Sequence, residues 1–176
     1  DFCLSRGLGD VYKRQLYATV ARLAKSLREI GVKPGDRVAA YMPNLMETAI
    51  AMLAATSVGA TWSSCATDIG SQAALDRLGQ IEPKVLFTVN GYYYKGKVFG
   101  SLGNAAEVVK GIPSLKKVVV ASYTDQKPDL SHIANAVWWQ DFLSEEKKPS
   151  LEFEPLPADH PVYIMFSSGT TGKPKC

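Results

Sequence analysis

Histidine and cysteine, the side chains most often used as metal ligands and nucleophiles, are scarce in this chain of 176 residues, with two and three copies. His132 and His160 stand far apart, without a cysteine or carboxylate at the spacing of a metal site, so no metal site is predicted. Cys3, Cys65 and Cys176 are an odd number and form no C-x-x-C pair. This pattern favours a reducing, cytoplasmic setting.

Charge of one sign and long apolar runs are also missing. The 20 Lys and Arg are interspersed with 17 Asp and Glu, and a net charge of +3 without a basic stripe does not favour nucleic-acid binding. The most apolar stretch, residues 49–55, is far shorter than the roughly 20 residues of a membrane-spanning helix. With 46% hydrophobic and 21% charged residues, the chain has the composition of one globular domain.

The first fifteen residues, DFCLSRGLGDVYKRQ, show no sustained helical or strand period. Gly7 and Gly9 begin a G-x-G pattern, but Tyr12 stands where a dinucleotide-binding fingerprint needs glycine. We therefore predict that residues 1–15 are a non-native or disordered tail, and that the folded domain begins at Leu16.

From residue 16 onward, helical and strand patterns alternate. Leu16, Val20, Leu23, Leu27 and Ile30 recur at intervals of four, three, four and three, which is typical of an amphipathic helix. Strands and helices in alternation predict an α/β fold with a mostly parallel sheet and flanking helices. Strands are predicted at residues 37–42, 60–64, 84–89 and 117–121, and further helices at residues 45–58, 73–80 and 102–110.

The last part of the chain is less regular. Residues 122–159 are polar and rich in proline, and we predict a surface excursion there, with Trp138 and Trp139 buried. The run VYIMF at residues 162–166 predicts a return to a buried strand. A glycine-containing loop opens directly from the end of this strand.

That loop, FSSGTTGKPK at residues 166–175, has the wrong spacing for three well-known motifs. Two residues separate Gly169 from Gly172, where a Walker A loop needs four before its Gly-Lys pair. No glycine stands two places before either serine of the loop, as a nucleophile elbow requires. Pro174 removes a backbone donor and disfavours the helix that follows a Rossmann loop.

The composition of the loop still fits an anion. Backbone N–H groups near its glycines can approach a phosphate closely because no Cβ intervenes. Its four hydroxyls supply uncharged donors, and Lys173 and Lys175 supply positive charge. On these grounds a polyphosphate-binding loop and a simple polar hairpin turn both remain open.

The order of the residues adds a resemblance to a known family. YIMFSSGTTGKPK resembles the signature loop of the adenylate-forming superfamily, which includes acyl-CoA synthetases, amino-acid adenylation domains and luciferases. The run at residues 16–44 is similar to the superfamily stretch that leads through G-V-x-x-G-D-R-V to Pro-Asn. The segments GATWSS, LDRLGQIEPKVLFTVNGYYYKGK, IPSLKKVVV and FSSGTTGKPKC resemble the branch that activates acetoacetate. In that branch Cys176 stands where most members have glycine, and the resemblance covers residues 16–176.

This resemblance implies a mechanism. In the superfamily, a substrate carboxylate attacks the α-phosphate of MgATP to give an acyl-adenylate and pyrophosphate, and the thiol of coenzyme A then displaces AMP. The expected task of the loop is to position the departing phosphates and compensate their charge. Lys173 occupies a variable position. The positions that match the phosphate-binding ones are Ser167, Ser168, Gly169, Thr170, Thr171, Gly172 and Lys175.

A second implied site concerns coenzyme A. In related acetyl-CoA synthetases a basic, glycine-containing turn contacts the nucleotide of coenzyme A, and YKGK occupies the comparable place here. The resemblance therefore implies that Lys97 contacts coenzyme A. Tyr94 departs from the family pattern because it stands where a second basic residue is expected. A solvated lysine in a tight hairpin is the structural alternative.

For the whole chain, the resemblance implies a partial N-terminal AMP-binding domain at residues 16–176, truncated at the phosphate loop, without catalytic residues and without ligase activity of its own. The expected substrates are acetoacetate, ATP with Mg²⁺, and coenzyme A, in ketone-body and lipid metabolism. Two alternatives remain open. One is a synthetase for acetate, propionate or another short acid, and the other is a nucleotide-binding module without ligase activity.

Overall fold

Helices and strands alternate along the part of the chain that the structure describes. The computed structural model describes residues 2–124, 128–147, 149–167 and 174–176, with side chains from Tyr12 onward. The helices are α1 (Phe2–Glu29), α2 (Met46–Ser57), α3 (Gly70–Ile81), α4 (Leu102–Lys110) and α5 (Trp139–Phe142). The strands are β1 (Arg37–Tyr41), β2 (Thr61–Cys65), β3 (Val85–Val89), β4 (Gly91–Tyr94), β5 (Lys97–Gly100), β6 (Lys117–Ala121) and β7 (Ala136–Trp138).

Five of the described strands form one sheet, in the order β2-β1-β3-β6-β7. Each neighbouring pair is parallel, with Arg37 of β1 opposite Thr61 of β2 and Val38 of β1 opposite Val85 of β3. Strands β4 and β5 form a separate antiparallel hairpin. The prediction of an α/β fold with a mostly parallel sheet and flanking helices is therefore confirmed.

Helices cover both faces of this sheet. A first hydrophobic cluster joins α1 and α2 to one face, where Phe87 packs between Trp62 and Trp139 with ring centroids 6.4 and 5.8 Å away. A second cluster joins α3 and α4 to the opposite face, where it includes Tyr41 and Leu86. Because both faces are covered, a central strand has to be apolar throughout, and β3 is buried along its whole length.

The first helix is longer than the sequence pattern indicates. The sequence pattern predicts that it begins at Leu16, but α1 begins at Phe2. Gly7 and Gly9 each lower helix propensity by about 1 kcal/mol, yet a helix that is already nucleated can extend through such residues. That residues 1–15 are not native to the protein stays a prediction. Within the described residues no helix, α1 included, combines the length and the apolar character needed to cross a membrane.

Residues 122–159 contain more structure than the predicted surface excursion. Ala136–Trp138 adds β7 beside β6 at the edge of the sheet, and α5 follows at once. Three strand residues and four helical residues are too few to show a period, which is why the sequence did not reveal them. The predicted burial of Trp139 is confirmed, whereas Trp138 is half-buried.

Asp36 fixes the turn between α1 and β1. Its carboxylate accepts hydrogen bonds from the Lys33 N–H (2.7 Å) and from the Lys84 ammonium. The same ammonium donates to the carbonyl of Gly31 (2.9 Å), so that it links the end of α1 to the residue before β3. Partial burial by itself raises the pKa of Asp36, but the hydrogen bonds and the charge of Lys84 outweigh it, and the pKa lies below its ordinary value.

The substitution Asp36→Asn should lower the free energy of unfolding by about 1–3 kcal/mol at neutral pH, because the Lys84 ammonium then loses its ionic partner. Since the folded-state pKa of Asp36 is depressed, its contribution is present above the unfolded-state pKa of about 3.9 and is lost as the pH falls through the folded-state value. Urea denaturation of both proteins from neutral to acidic pH measures the difference. The exposed Asp159→Asn is the control, and an equal loss there contradicts the prediction.

Candidate functional site

The carboxyl ends of the parallel strands lie at one edge of the sheet, which is where ligands bind in open α/β folds. Strand β1 has β2 on one side and β3 on the other, so the direction of winding reverses between β1 and β3. A crevice is expected outside the carboxyl ends at such a reversal. Tyr41 ends β1 at this point, and Asn90 directly follows β3.

Tyr41 connects this edge to the turn that precedes α3. Its side chain is buried, and its hydroxyl donates a hydrogen bond to the carbonyl of Thr67 at 3.2 Å. Burial raises the pKa of Tyr41 above its ordinary value, so the phenol stays neutral at physiological pH. Tyr41 therefore acts as an uncharged link that holds the edge in shape.

Asn90 joins two loops at the same edge. Its Oδ1 accepts hydrogen bonds from the N–H groups of Tyr123 and Thr124 (2.9 and 3.1 Å), and its Nδ2 donates to the carbonyl of Thr124 (3.0 Å). The backbone carbonyl of Asn90 accepts the N–H of Ser101 at 3.3 Å. The side chain is only 5% exposed, so these bonds replace its lost hydration and fix the base of the β4–β5 hairpin.

The hairpin that follows carries Lys97. Lys95 and Gly96 form its two-residue turn with φ angles of 48° and 75°, which is the geometry of a type I′ turn. Lys97 begins β5 opposite Tyr94, and its side chain is exposed. The structure therefore places Lys97 on a hairpin that leaves the sheet at the carboxyl end of β3.

Aromatic rings cover much of this hairpin. Tyr92 stacks on Phe99 with ring centroids 5.5 Å apart. Tyr93 is 47% exposed, and the ammonium of Lys95 lies 5.3 Å from the centroid of the Tyr94 ring. Ring faces next to lysines form a surface that suits a flat aromatic base carrying phosphates.

The two ends of the predicted phosphate loop are paired with each other. Ser167 and Lys175 form an antiparallel bridge, in which the Ser167 N–H donates to the Lys175 carbonyl at 3.0 Å. The Ser167 hydroxyl donates to the same carbonyl at 3.3 Å. The side chain of Lys175 is exposed. Five predicted site residues lie outside the described residues, namely Ser168, Gly169, Thr170, Thr171 and Gly172. Lys173 lies outside them as well.

The segment VYIMF before this loop is not the buried strand that the sequence predicts. Trp62 of β2 donates its N–H to the Val162 carbonyl (2.9 Å) and accepts the N–H of Ile164 (2.8 Å), which makes a single parallel bridge. Ile164 and Phe166 pack against the α3–α4 cluster, whereas Met165 is 80% exposed. The segment lies at the edge of the sheet, where one side packs on the core and the other faces outward.

Tyr41 and Asn90 are the positioning residues that sequence reasoning missed. Both occupy the last position of, or the first position after, a strand that the sequence did predict. The available signal was a polar group at the carboxyl end of a buried parallel strand, since all such ends share one edge of the sheet.

Cys65 ends β2 at this edge and has a free thiol. Burial raises the pKa of the thiol to about 12, and the charge of Arg77 offsets the effect only in part. Because the thiolate is the reactive form, the raised pKa disfavours Cys65 as a nucleophile at neutral pH. Within the described ranges, no three His, Cys, Asp or Glu side chains group together as a site for a metal ion.

A family model, curated proteins and a solved structure were each found to be similar to this chain. Residues 12–176 match a family model described as AMP-binding enzyme. The chain is 50% identical to acetoacetyl-CoA synthetase of Macaca fascicularis over 92% of this chain and 25% of that protein. It is 45% identical to acetoacetyl-coenzyme A synthetase of Rhizobium meliloti (strain 1021) over 100% of this chain and 28% of that protein. A solved structure of acetoacetyl-CoA synthetase from Streptomyces lividans matches with a TM-score of 0.83 and 39% identity, covering 92% of this chain and 24% of that one.

The family match extends over most of the sequence, and the chain therefore belongs to the AMP-binding enzymes. The three relatives described above are all acetoacetyl-CoA synthetases. The chain spans about a quarter of their length. The adenylate-forming resemblance drawn from the loop and from the early helix–strand stretch is thereby confirmed.

The raised pKa of Cys65 predicts slow alkylation. At pH 8 and in the folded protein, iodoacetamide should modify Cys65 at least a hundredfold more slowly than in protein unfolded by urea, because the thiolate fraction falls about tenfold for each unit by which the pKa rises. Timed alkylation followed by peptide mass spectrometry measures both rates. Equal rates in the folded and unfolded protein would show that the thiol is accessible and ordinary in its acidity.

Proposed function

We propose that the whole protein is an ATP-dependent, AMP-forming acid–CoA ligase that activates acetoacetate as an acyl-adenylate and transfers the acyl group to coenzyme A. The observation that carries the proposal is the loop SSGTTGKPK, whose ends close through the Ser167–Lys175 pair in a chain of the AMP-binding family. The names of the relatives support acetoacetate as the acid.

In this proposal the loop holds the β- and γ-phosphates of ATP. Backbone N–H groups, hydroxyls and an ammonium from such a loop would stabilise the negative charge of the departing pyrophosphate. Mg²⁺ would enter as part of MgATP, and no residue of the chain is assigned to hold it. The residues proposed for the phosphates are Ser167, Ser168, Gly169, Thr170, Thr171, Gly172 and Lys175.

Coenzyme A is proposed to meet the β4–β5 hairpin at Lys97. The support is positional, because the hairpin leaves the sheet next to the point where the winding reverses between β1 and β3. The exposed Lys97 would supply a positive charge for a phosphate of the coenzyme, and the neighbouring rings would supply a surface for its adenine.

An apolar cleft elsewhere in the molecule is a weaker candidate for the reaction. It has a volume of about 330 Å³ and is lined mainly by apolar side chains of α1, α2 and the region around Leu151 and Phe153. Lys13 is the one charged residue in its described lining. None of the described residues of the loop or the hairpin lines this cleft, so it is not proposed as the ATP or coenzyme A site.

The partners proposed for the whole protein are small molecules, namely the acid, ATP and coenzyme A. We also propose a cytoplasmic location for the protein. What supports it is the wide spacing of the three cysteines in the sequence, together with free thiols at Cys65 and Cys176 among the described residues.

Exchange of pyrophosphate into ATP by the whole protein tests the first half-reaction. Acetoacetate should support exchange better than acetate, propionate or 3-hydroxybutyrate. Lys175→Met should lower kcat/KM for ATP by at least tenfold, because a hydrogen bond between two charged groups is lost. Lys116→Met, at an exposed lysine between α4 and β6, is the control. If acetate supports exchange and acetoacetate does not, the proposed acid is refuted. If none of the four acids supports exchange, the proposed ligase activity is refuted.

The second half-reaction tests Lys97 separately. Lys97→Gln should raise KM for coenzyme A about three- to tenfold in the complete reaction and leave pyrophosphate exchange unchanged, since exchange does not require the coenzyme. Lys110→Gln, at an exposed lysine in the last turn of α4, is the matched control. An unchanged KM for coenzyme A in Lys97→Gln, or an equal rise in the control, supports the solvated-lysine alternative.

A further inference from the structure

Helix α3 contacts the last part of the predicted phosphate loop, residues 174 and 175, which is called its returning arm below. The side-chain amide of Gln80, in the last turn of α3, donates a hydrogen bond to the carbonyl of Pro174 at 2.9 Å. The same nitrogen also donates to the backbone carbonyl of Asp76, one turn earlier in the helix. An amide NH₂ carries two protons, so one side chain can bridge its own helix and the loop.

Two successive carbonyls of this arm are bonded to two different parts of the molecule. The Pro174 carbonyl accepts from Gln80 of α3, and the Lys175 carbonyl accepts from Ser167 at the other end of the loop. Proline has no N–H, so its carbonyl is the one backbone hydrogen-bonding group that Pro174 brings. Fixing both carbonyls sets the orientation of the peptide between them, and the side chain of Lys175 extends from that peptide.

The helix that provides this bond is itself firmly packed. Leu78 and Ile81, on either side of Gln80, are buried in the α3–α4 cluster, while Gln80 is exposed. Phe166, the first residue of the loop, packs against the same cluster. The two ends of the loop therefore contact the same layer of the fold, Phe166 by apolar packing and Pro174 by a hydrogen bond.

We propose that Gln80 is a positioning residue for ATP binding, which acts by fixing the Pro174 carbonyl and hence the direction in which Lys175 extends toward the phosphates. This inference rests on the proposed function, in which Lys175 contacts the β- and γ-phosphates. Gln80 does not itself touch the nucleotide. Its substitution should therefore affect ATP and pyrophosphate and leave the acid and coenzyme A unaffected.

The test compares Gln80→Met with Gln72→Met in the whole protein. Methionine keeps the length and helix propensity of glutamine and removes the donor. Gln72 is a matched control because it lies on the same helix, is exposed, and donates to the Asp76 side chain (2.9 Å). KM for ATP in pyrophosphate exchange should rise about three- to tenfold in Gln80→Met, which corresponds to one lost hydrogen bond. KM for the acid, KM for coenzyme A and the melting temperature should stay unchanged.

A second measurement does not depend on activity. Amide hydrogen exchange in peptides covering residues 167–176 should be faster in Gln80→Met than in the wild type or Gln72→Met. An unchanged KM for ATP in Gln80→Met overturns the proposal, and so does an equal rise in Gln72→Met. If none of the acids supports pyrophosphate exchange by the wild type, the proposed function fails. Amide hydrogen exchange alone then decides whether Gln80 holds the loop.

Discussion

The covering of a parallel sheet on both faces is the constraint on which the rest of the structure depends. Successive residues of β3, such as Leu86 and Phe87, point into opposite hydrophobic clusters, so both faces are occupied by helices. A ligand-binding site is then expected at an edge of the sheet, and the carboxyl ends of parallel strands all lie at the same edge. Tyr41, Cys65 and Asn90 lie at the carboxyl ends of their strands, and the hairpin with Lys97 follows β3 at this edge. Burial of the strands thus decides where the hairpin can present its lysine.

The same constraint explains how much of the fold the sequence could predict. A strand covered on both faces is a short apolar run, and turns rich in glycine and proline separate such runs from amphipathic helices. Strands β1, β3 and β6 therefore lie within one residue of their predicted bounds, and α4 matches Leu102–Lys110. Elements of this kind are recognised locally because their burial pattern and their hydrogen bonding are set by the same few residues.

Features that depend on distant partners were not predictable in this way. VYIMF has the composition of a buried strand, but its burial depends on what lies beside β2, and Met165 is exposed as a result. β7 and α5 are too short to show a period; β7 pairs with β6, and Trp139 of α5 packs against Phe87. Gln80 is an exposed glutamine on a polar helix face, and its contact with Pro174 joins residues 94 positions apart. The composition of the loop predicts an anion-binding role, but not the element that orients it.

The two helical layers therefore differ in what they contribute. Phe166, the first residue of the loop, packs on the α3–α4 cluster, and Ser101, at the start of α4, donates its hydroxyl to the Val89 carbonyl where the hairpin leaves β3. The α3–α4 layer thus bears on both proposed ligand contacts. The α1–α2 layer is tied to the sheet through Phe87 and through the Asp36 turn. We expect changes in that layer to act on the stability of the sheet, and changes in the α3–α4 layer to affect also the groups that are proposed to hold ATP and coenzyme A.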